Sequence, residues 1–348
     1  VVEAHSLALF PSFANGHTHA AMTLLRGYAD DMELHTWLST KIWPFEAHLT
    51  AEDVYWGAKL ACLEMIRTGT TFFVDMYWHP RATVRAALEM GLRAGVCGAF
   101  FDFGDPARAT TMRQQVRDLY ERSLDDPDSI VFVVGAHAIY SVSAPSLVWL
   151  SDFARERGLF LHLHLSETRK EVEDCMQQHG VRPVVYLDRL GVLGPHVVAA
   201  HAVWLDDTER ELLARHGVGV VHNPVSNMKL ASGALDCSAL RRAGVRMGLG
   251  TDGCASNNNL DMREEMKIAS LLAKLVSADP CALPAAEALS MATCGSAEIY
   301  GQECGRIAVG APADCILVSL KDTCMTPVHN VLSNWVYSGG RILSTICA

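Results

Sequence analysis

Phe13-Ala-Asn-Gly16-His17-Thr18-His19 ends the first of the apolar runs in this chain. Residues i and i+2 on a strand share a face, so both imidazoles can point at one metal ion. An HxH pair alone is weak, because core packing places many such pairs. Its weight comes from what recurs downstream. Short apolar runs cover Leu7–Phe13, Thr70–Met76, Gly95–Phe100, Ile130–Ala138, Leu159–Leu165, Val197–Val203, Gly217–His222 and Arg246–Gly250. Each is apolar on both faces, as parallel strands covered by helices should be. Helical patterns fill the gaps at Ala51–Arg67, Arg81–Leu92, Ala107–Arg122, Ser146–Arg157, Ser166–Gln178, Asp207–Arg215 and Leu260–Leu275. Thr50 with Asp53 three residues on, and Asp206, read as N-caps. About eight βα units in one run imply a (β/α)₈ barrel, with a doubly wound open sheet as the alternative.

In a barrel the C-terminal strand ends converge on one site. The polar groups sit at those ends. Leu161-His162-Leu163-His164-Leu165-Ser166-Glu167 closes the fifth run, Ala199-Ala200-His201 the sixth and Gly250-Thr251-Asp252 the eighth. His17, His19, His164 and Asp252 then form a His₃Asp set with room for water, a catalytic rather than a structural zinc pattern. His164 is chosen over His162 because it lies nearer the strand end; His162 reads as a deeper core residue. The fourth run carries no Lys or Glu to bridge two ions, so one metal per chain is expected.

Composition bounds the rest. The 348 residues suit about two domains or one large barrel. Half are hydrophobic and 20% are charged, an ordinary globular balance. A net charge of −10 argues against a nucleic-acid partner. The 11 cysteines form no CxxC pair, which removes zinc ribbons and the cytidine-deaminase zinc site and favours a reducing cytoplasm. The first residues, Val-Val-Glu-Ala-His-Ser-Leu, lack a basic leader, so no signal peptide is expected. Ser129–Ser151 carries no charged residue but is broken by Gly135, His137 and Pro145, so it reads as strand, loop and helix start rather than a membrane span. After Tyr300 the pattern turns β-rich, as strands outside the barrel. The expected division is therefore a barrel over residues 8–304 and a partial β-sandwich from residues 1–7 and 305–348.

Several stretches together resemble the amidohydrolase superfamily, and within it the 5-methylthioadenosine/S-adenosylhomocysteine deaminases. They are Pro11 to Gly27 around the HxH pair, Val74-Asp-Met-Tyr77, His164-Leu-Ser-Glu167, His222-Asn-Pro-Val-Ser-Asn-Met-Lys-Leu230 and Gly250-Thr-Asp-Gly-Cys-Ala-Ser-Asn-Asn258. The resemblance covers essentially the whole chain. It implies a metal-dependent barrel, metal ligands His17, His19, His164 and Asp252, catalytic roles for Glu167, His201 and Asp252, and substrate contacts from Glu46 and His137. Similar proteins start earlier and continue further, with more of a small β-sandwich. Some carry an arginine where this chain has Gly98. Arg108 matches a second arginine of theirs that meets the substrate's tail. Ser256, just past Asp252, is grouped with the substrate contacts, although its place also suits shaping that loop.

The implied reaction is hydrolytic removal of the 6-amino group of an adenosine-type nucleoside. Attack at carbon 6 needs hydroxide, and a zinc site lowers the pKa of water from 15.7 to about 7. That is on the order of 12 kcal/mol at about 1.36 per unit. A lone base supplies roughly 3–5, so the metal is the main activator. Zn²⁺ is expected, with Fe²⁺ or Mn²⁺ also compatible with these ligands. Glu167 would deliver the ring proton, and His201 with Asp252 would orient and deprotonate the water. Trp43, Phe45, Tyr77 and Trp78 are candidates for an apolar pocket wall. His222-Asn-Pro224 would line the pocket or order the turn. Guanine, pterin or triazine chemistry on the same metal site is the enzyme alternative, and a metal-free scaffold the non-enzyme one. A cytoplasmic protein with a small nucleoside substrate, no nucleic-acid or membrane partner and room for homo-oligomers completes the expectation.

Overall fold

A computed structural model describes residues 4–348. The chain opens with β1 (Leu7–Pro11), which pairs antiparallel with β12 (Cys315–Ser319); β13 (Ile342–Ile346) pairs antiparallel with β12 on its other side. The barrel begins only at β2 (Phe13–His19). It continues through β3 (Thr70–Tyr77), β4 (Arg93–Gly98), β5 (Ile130–Phe132), β6 (Val134–Ala138), β7 (Leu161–Leu165), β8 (Val197–His201), β9 (Gly219–His222), β10 (Arg246–Leu249) and β11 (Asp252–Gly253). These ten segments form two parallel half-sheets, β11-β2-β3-β4-β5 and β10-β9-β8-β7-β6. The chain passes from one half to the other at Val133, and again at Gly250-Thr251. β5 with β6 and β10 with β11 each count as one stave, so eight staves close the α/β barrel.

The first apolar run is therefore not one strand. Pro11 offers no N–H to continue a ladder. At Ser12 the chain changes sheets: its amide donates to Asp314 O at 3.2 Å, while the next amide, Phe13, donates to Gly69 O at 2.9 Å. The barrel boundary expected at residue 8 moves to Phe13, and β1 belongs with the small sheet. Residues 1–3 of the expected terminal segment lie outside the described residues. The region after Tyr300 supplies β12 and β13, but also the helix Val331–Tyr337. Trp335 of that helix is fully buried and stacks on Phe10 and Phe13, with ring centroids 5.3 and 6.2 Å apart. That contact fastens the small sheet to the barrel.

The helices between staves follow the sequence signals closely. Ala51–Thr68 starts in a complete capping box, Thr50 with Asp53, and stops at Gly69, whose φ of +94° suits glycine. Asp207–His216 starts in another, Asp206 with Glu209. Ser129–Ser151 folds into β5, β6, a turn and the first half of the helix Ala144–Arg157. Among the described residues no helix is long and apolar enough to cross a membrane.

Candidate metal and active site

The barrel's closure brings the strand ends together. β11 pairs with β2 so that Asp252 sits beside Thr18 and Gly253 beside His19. Asn15 fastens this seam from below: its Nδ2 donates to Thr251 Oγ1 at 2.7 Å, and its Oδ1 accepts from the Thr251 amide at 3.0 Å. Gly250 is required here, because a Cβ would stand 2.6 Å from Asn223 Oδ1 and 2.8 Å from the His17 amide nitrogen. Asp75 in β3 accepts from the Ala20 amide at 2.7 Å and from Thr83 Oγ1 at 2.9 Å, which fixes the turn after His19.

His17, His19 and His164 offer ring nitrogens within 4.8 Å of one another, and His17, His201 and Asp252 form an overlapping group. Asp252 Oδ1 lies 3.4 Å from His17 Nε2 and 3.2 Å from His19 Nε2. His164 Nε2 is 3.3 Å from His19 Nε2. The far nitrogens are anchored: His19 Nδ1 donates to Met76 O and His164 Nδ1 to His137 O, both at 2.6 Å. When neutral, a ring anchored this way turns a bare Nε2 inward, the form that binds metal. His17 Nε2 is buried with no hydrogen-bond partner. Leaving such an atom unpaired is costly, and a cation satisfies it. Ser226 and Ser256 donate to Asp252 Oδ2 at 2.6 and 2.7 Å, so its other oxygen faces the histidines. The donor set fits one divalent ion.

The electrostatics agree. Burial pushes His17 and His201 down to about 4 and His137 to about 3, and takes His164 well below its ordinary value. Burial opposes protonation of His19 too, but the Asp252 carboxylate outweighs it and raises that ring to about 9. Burial alone would raise Asp252; the His17 and His19 rings beside it hold it well below the usual carboxylate range. The cluster thus draws one positive charge to the point between Asp252 and the rings. Asp252 and His201 have left-handed backbones, with φ of +61° and +71°, a strained state typical of functional positions.

Glu167 lines the same cavity as His19, His164, His201 and Asp252. Its Oε1 accepts from Ser232 Oγ at 3.3 Å, and its Oε2 is 3.9 Å from His201 Nε2. Burial first, then the Asp252 charge, raises its carboxyl to about 8. The loop that carries it is held by Glu171, which accepts from the Ser166 and Glu167 amides at 2.8 and 2.9 Å. His201 Nδ1 faces Asn227 Nδ2 at 2.9 Å.

One cavity joins these groups to Trp37, Trp43, Glu46, Trp78, His137 and Tyr140. Glu46 is not the surface acid its loop position suggests. It is buried, and its Oε2 accepts from Trp78 Nε1 at 2.9 Å. Burial raises its carboxyl above the ordinary value. His137 lines the wall with Nδ1 2.7 Å from Ser141 Oγ. A second hollow shares Trp43, Glu46, Trp78 and Phe101 with the first and adds Phe103 and Arg108. Arg108 lies over both Phe rings, about 5 Å from each.

Some expectations shift. Phe45 packs on Tyr28 instead of lining the main cavity. Ser256 reaches the cavity wall but gives its hydrogen to Asp252. Gly98 does not open into either hollow: a Cβ there would meet Leu119 and Pro80 on the helix side of β4, so it is not the place for an arginine to reach substrate. Sequence reasoning missed Ser232 and Tyr300, neither of which carries a motif signal of its own, and gave Asn15 no role although it lies in the quoted stretch around the HxH pair. Ser226 and Asn227 lay within a quoted stretch but were assigned no role.

Comparison with known proteins extends the geometry. The chain is 51% identical to a 5'-deoxyadenosine deaminase of Methanoregula boonei, over 100% of this chain and 79% of that protein. It is 48% identical to 5-methylthioadenosine/S-adenosylhomocysteine deaminase 1 of Archaeoglobus fulgidus, over 97% and 80%. The structure of an adenosine deaminase from Xanthomonas campestris with bound zinc superposes with a TM-score of 0.93 at 38% identity, covering 98% of this chain and 79% of that one. Residues 8–348 match the amidohydrolase family along nearly their whole length. With the eight-staved barrel and the histidine–aspartate centre at its C-terminal mouth, this chain belongs to the amidohydrolase family.

Proposed function

We propose that the protein is a hydrolytic deaminase of adenosine-type nucleosides with a small 5′ substituent, such as 5′-deoxyadenosine or 5′-methylthioadenosine. One observation carries the nucleoside reading: buried Glu46 shares a single cavity with the histidine–aspartate centre and Glu167. A carboxylate there can accept both hydroxyls of a ribose while the purine's carbon 6 reaches the centre. The related deaminases support the same substrate class.

His17, His19, His164 and Asp252 would hold the ion, with zinc as the expected metal, as in the Xanthomonas relative. Bound there, a divalent ion supplies hydroxide-like nucleophilicity at neutral pH and charge neutralisation. The chain's own groups do the rest. Glu167, with a carboxyl raised to about 8, keeps its proton at pH 7 and gives it to ring nitrogen 1. His201 would stabilise the charge that develops during attack at carbon 6, and Asp252, already deprotonated, would take the water's proton. His137, Trp43 and Trp78 enclose the base and sugar. The 5′ group points to the second hollow, where Phe101 and Phe103 suit an apolar substituent and Arg108 suits a tail ending in a carboxylate. The 11 free thiols fit a reducing, cytoplasmic setting.

Ultraviolet assay of 5′-deoxyadenosine, 5′-methylthioadenosine, S-adenosylhomocysteine, adenosine, adenine and guanine tests the reading. The 5′-modified nucleosides should show the highest kcat/KM. Equal turnover of adenine or guanine would overturn it.

A further inference from the structure

Tyr300 lies at the end of the short helix Ser296–Ile299, beneath the barrel, and is 1% exposed. Its hydroxyl is 2.9 Å from Gly16 O and 2.8 Å from His162 Nδ1. On the other side of that ring, His162 Nε2 is 2.8 Å from His17 Nδ1. His17 Nε2 then faces the centre without a partner. A hydroxyl, two imidazoles and a ligand nitrogen thus form one buried line.

The protons along this line have two self-consistent orders. In one, Tyr300 donates to His162 Nδ1, His162 Nε2–H donates to His17 Nδ1, and His17 carries its remaining hydrogen on Nε2. That order leaves two oxygens, of Tyr300 and Gly16, 2.9 Å apart with no hydrogen between them, and it blocks the nitrogen that should bind metal. In the other, Tyr300 donates to Gly16 O and accepts from His162 Nδ1–H. His162 Nε2 accepts from His17 Nδ1–H, and His17 Nε2 is a bare lone pair. Every buried group in the line is then satisfied except the ligand nitrogen. The 2.8 Å contact between His162 Nε2 and His17 Nδ1 holds a single hydrogen, so one of these nitrogens donates and the other accepts.

We propose that Tyr300 and His162 are positioning residues that set the tautomer of His17, so that the Tyr300 hydroxyl governs metal affinity from the far side of two rings. The inference rests on the metal-centre reading above. It gives His162, the histidine that shares a strand face with His164, a task distinct from ligation. It also links the segment after the last stave to the centre. Partners of this kind are typically worth 10–100-fold in metal affinity.

Competition of the purified enzyme against a zinc chelator is the test, with wild type, Tyr300→Phe and Ser296→Ala compared. Ser296 is the control. It sits on the same helix and bonds the barrel through Leu249 N and O at 2.8 and 2.9 Å, but it touches nothing in the line. Tyr300→Phe should bind zinc 10–100-fold more weakly and Ser296→Ala within about twofold of wild type. Long-range proton–nitrogen correlation spectra of zinc-loaded wild type should show His17 and His162 protonated on Nδ1 alone. Unchanged zinc affinity in Tyr300→Phe, an equal loss in Ser296→Ala, or Nε2–H on His162 would each overturn the proposal. If Tyr300→Phe does not fold, the wild-type spectrum decides. Failure of wild type to bind zinc would instead overturn the metal-centre reading itself.

Discussion

Replacing Glu167 by glutamine keeps the side chain's shape and its bond from Ser232 but removes the proton it would deliver. Three structural facts set the magnitude. The loop backbone does not depend on this carboxyl, because Glu171 holds both local amides. The other two carboxylates on the cavity wall cannot substitute: Asp252 is held fully ionised, and Glu46 is engaged with Trp78. The carboxyl is not among the grouped ligand atoms, so the metal should stay. The full value of a positioned acid is then lost, roughly 10²–10⁴-fold in kcat, or about 3–5 kcal/mol at about 1.36 per decade. The sign of the pH effect also follows. The acid form is the active one, and it persists up to a pKa of about 8. Wild-type kcat/KM should therefore fall as pH rises through that region or slightly below it. The glutamine variant should lack that limb. Steady-state assay with 5′-deoxyadenosine across pH 5.5–9.5 (about), alongside metal analysis, reads all three quantities. A glutamine variant with near-normal kcat would refute the reasoning, and one that lost its metal would show that an acid has been taken for what is really a ligand.

Other changes probe separate parts of the site. Glu46→Ala should remove most of the preference for nucleoside over free base, about 10²–10⁴-fold for two charge-assisted bonds of roughly 1.5–3 kcal/mol each, with zinc content unchanged; a preserved ratio of kcat/KM values counts against the ribose contact. His164→Ala should abolish both zinc retention and turnover, and metal analysis showing a full equivalent bound would remove it from the ligand set. Arg108→Met should raise KM for S-adenosylhomocysteine about tenfold or more while leaving 5′-deoxyadenosine almost untouched; parallel changes for both substrates would argue against a tail contact.

Much of the candidate site was legible because its grouped histidines and Asp252 occupy strand ends at fixed spacing. Alternation in Leu161–Leu165 places His162 and His164 on one face, and the chain's exit from β7 places Glu167 beyond them. What was not legible depends on contacts between distant segments. Nothing local distinguishes Ser232 from any loop serine, yet it meets Glu167 across 65 residues of sequence. Tyr300 looks like a helix-end aromatic until the barrel brings it beneath His162. Glu46 became interpretable only through the resemblance, since its burial comes from the way Trp43–Glu46 folds over the barrel mouth. The first run was misread because an apolar stretch records burial but not partner. Pro11 was the available sign that one ladder ends there and another begins.

The barrel's two half-sheets share the centre unevenly. His17, His19 and Asp252 lie in the half that contains β2 and β11, while His164 and His201 lie in the half that contains β7 and β8. An ion held by both halves would be a rivet across the seam, and its binding energy would become closure energy for the whole cylinder. At a free metal concentration 1,000 times Kd that amounts to about 4.1 kcal/mol. Stripped of metal, the cylinder has Asn15 and Thr251 to hold one edge, and amide exchange should quicken first at Gly250 and Thr251, where the staves meet.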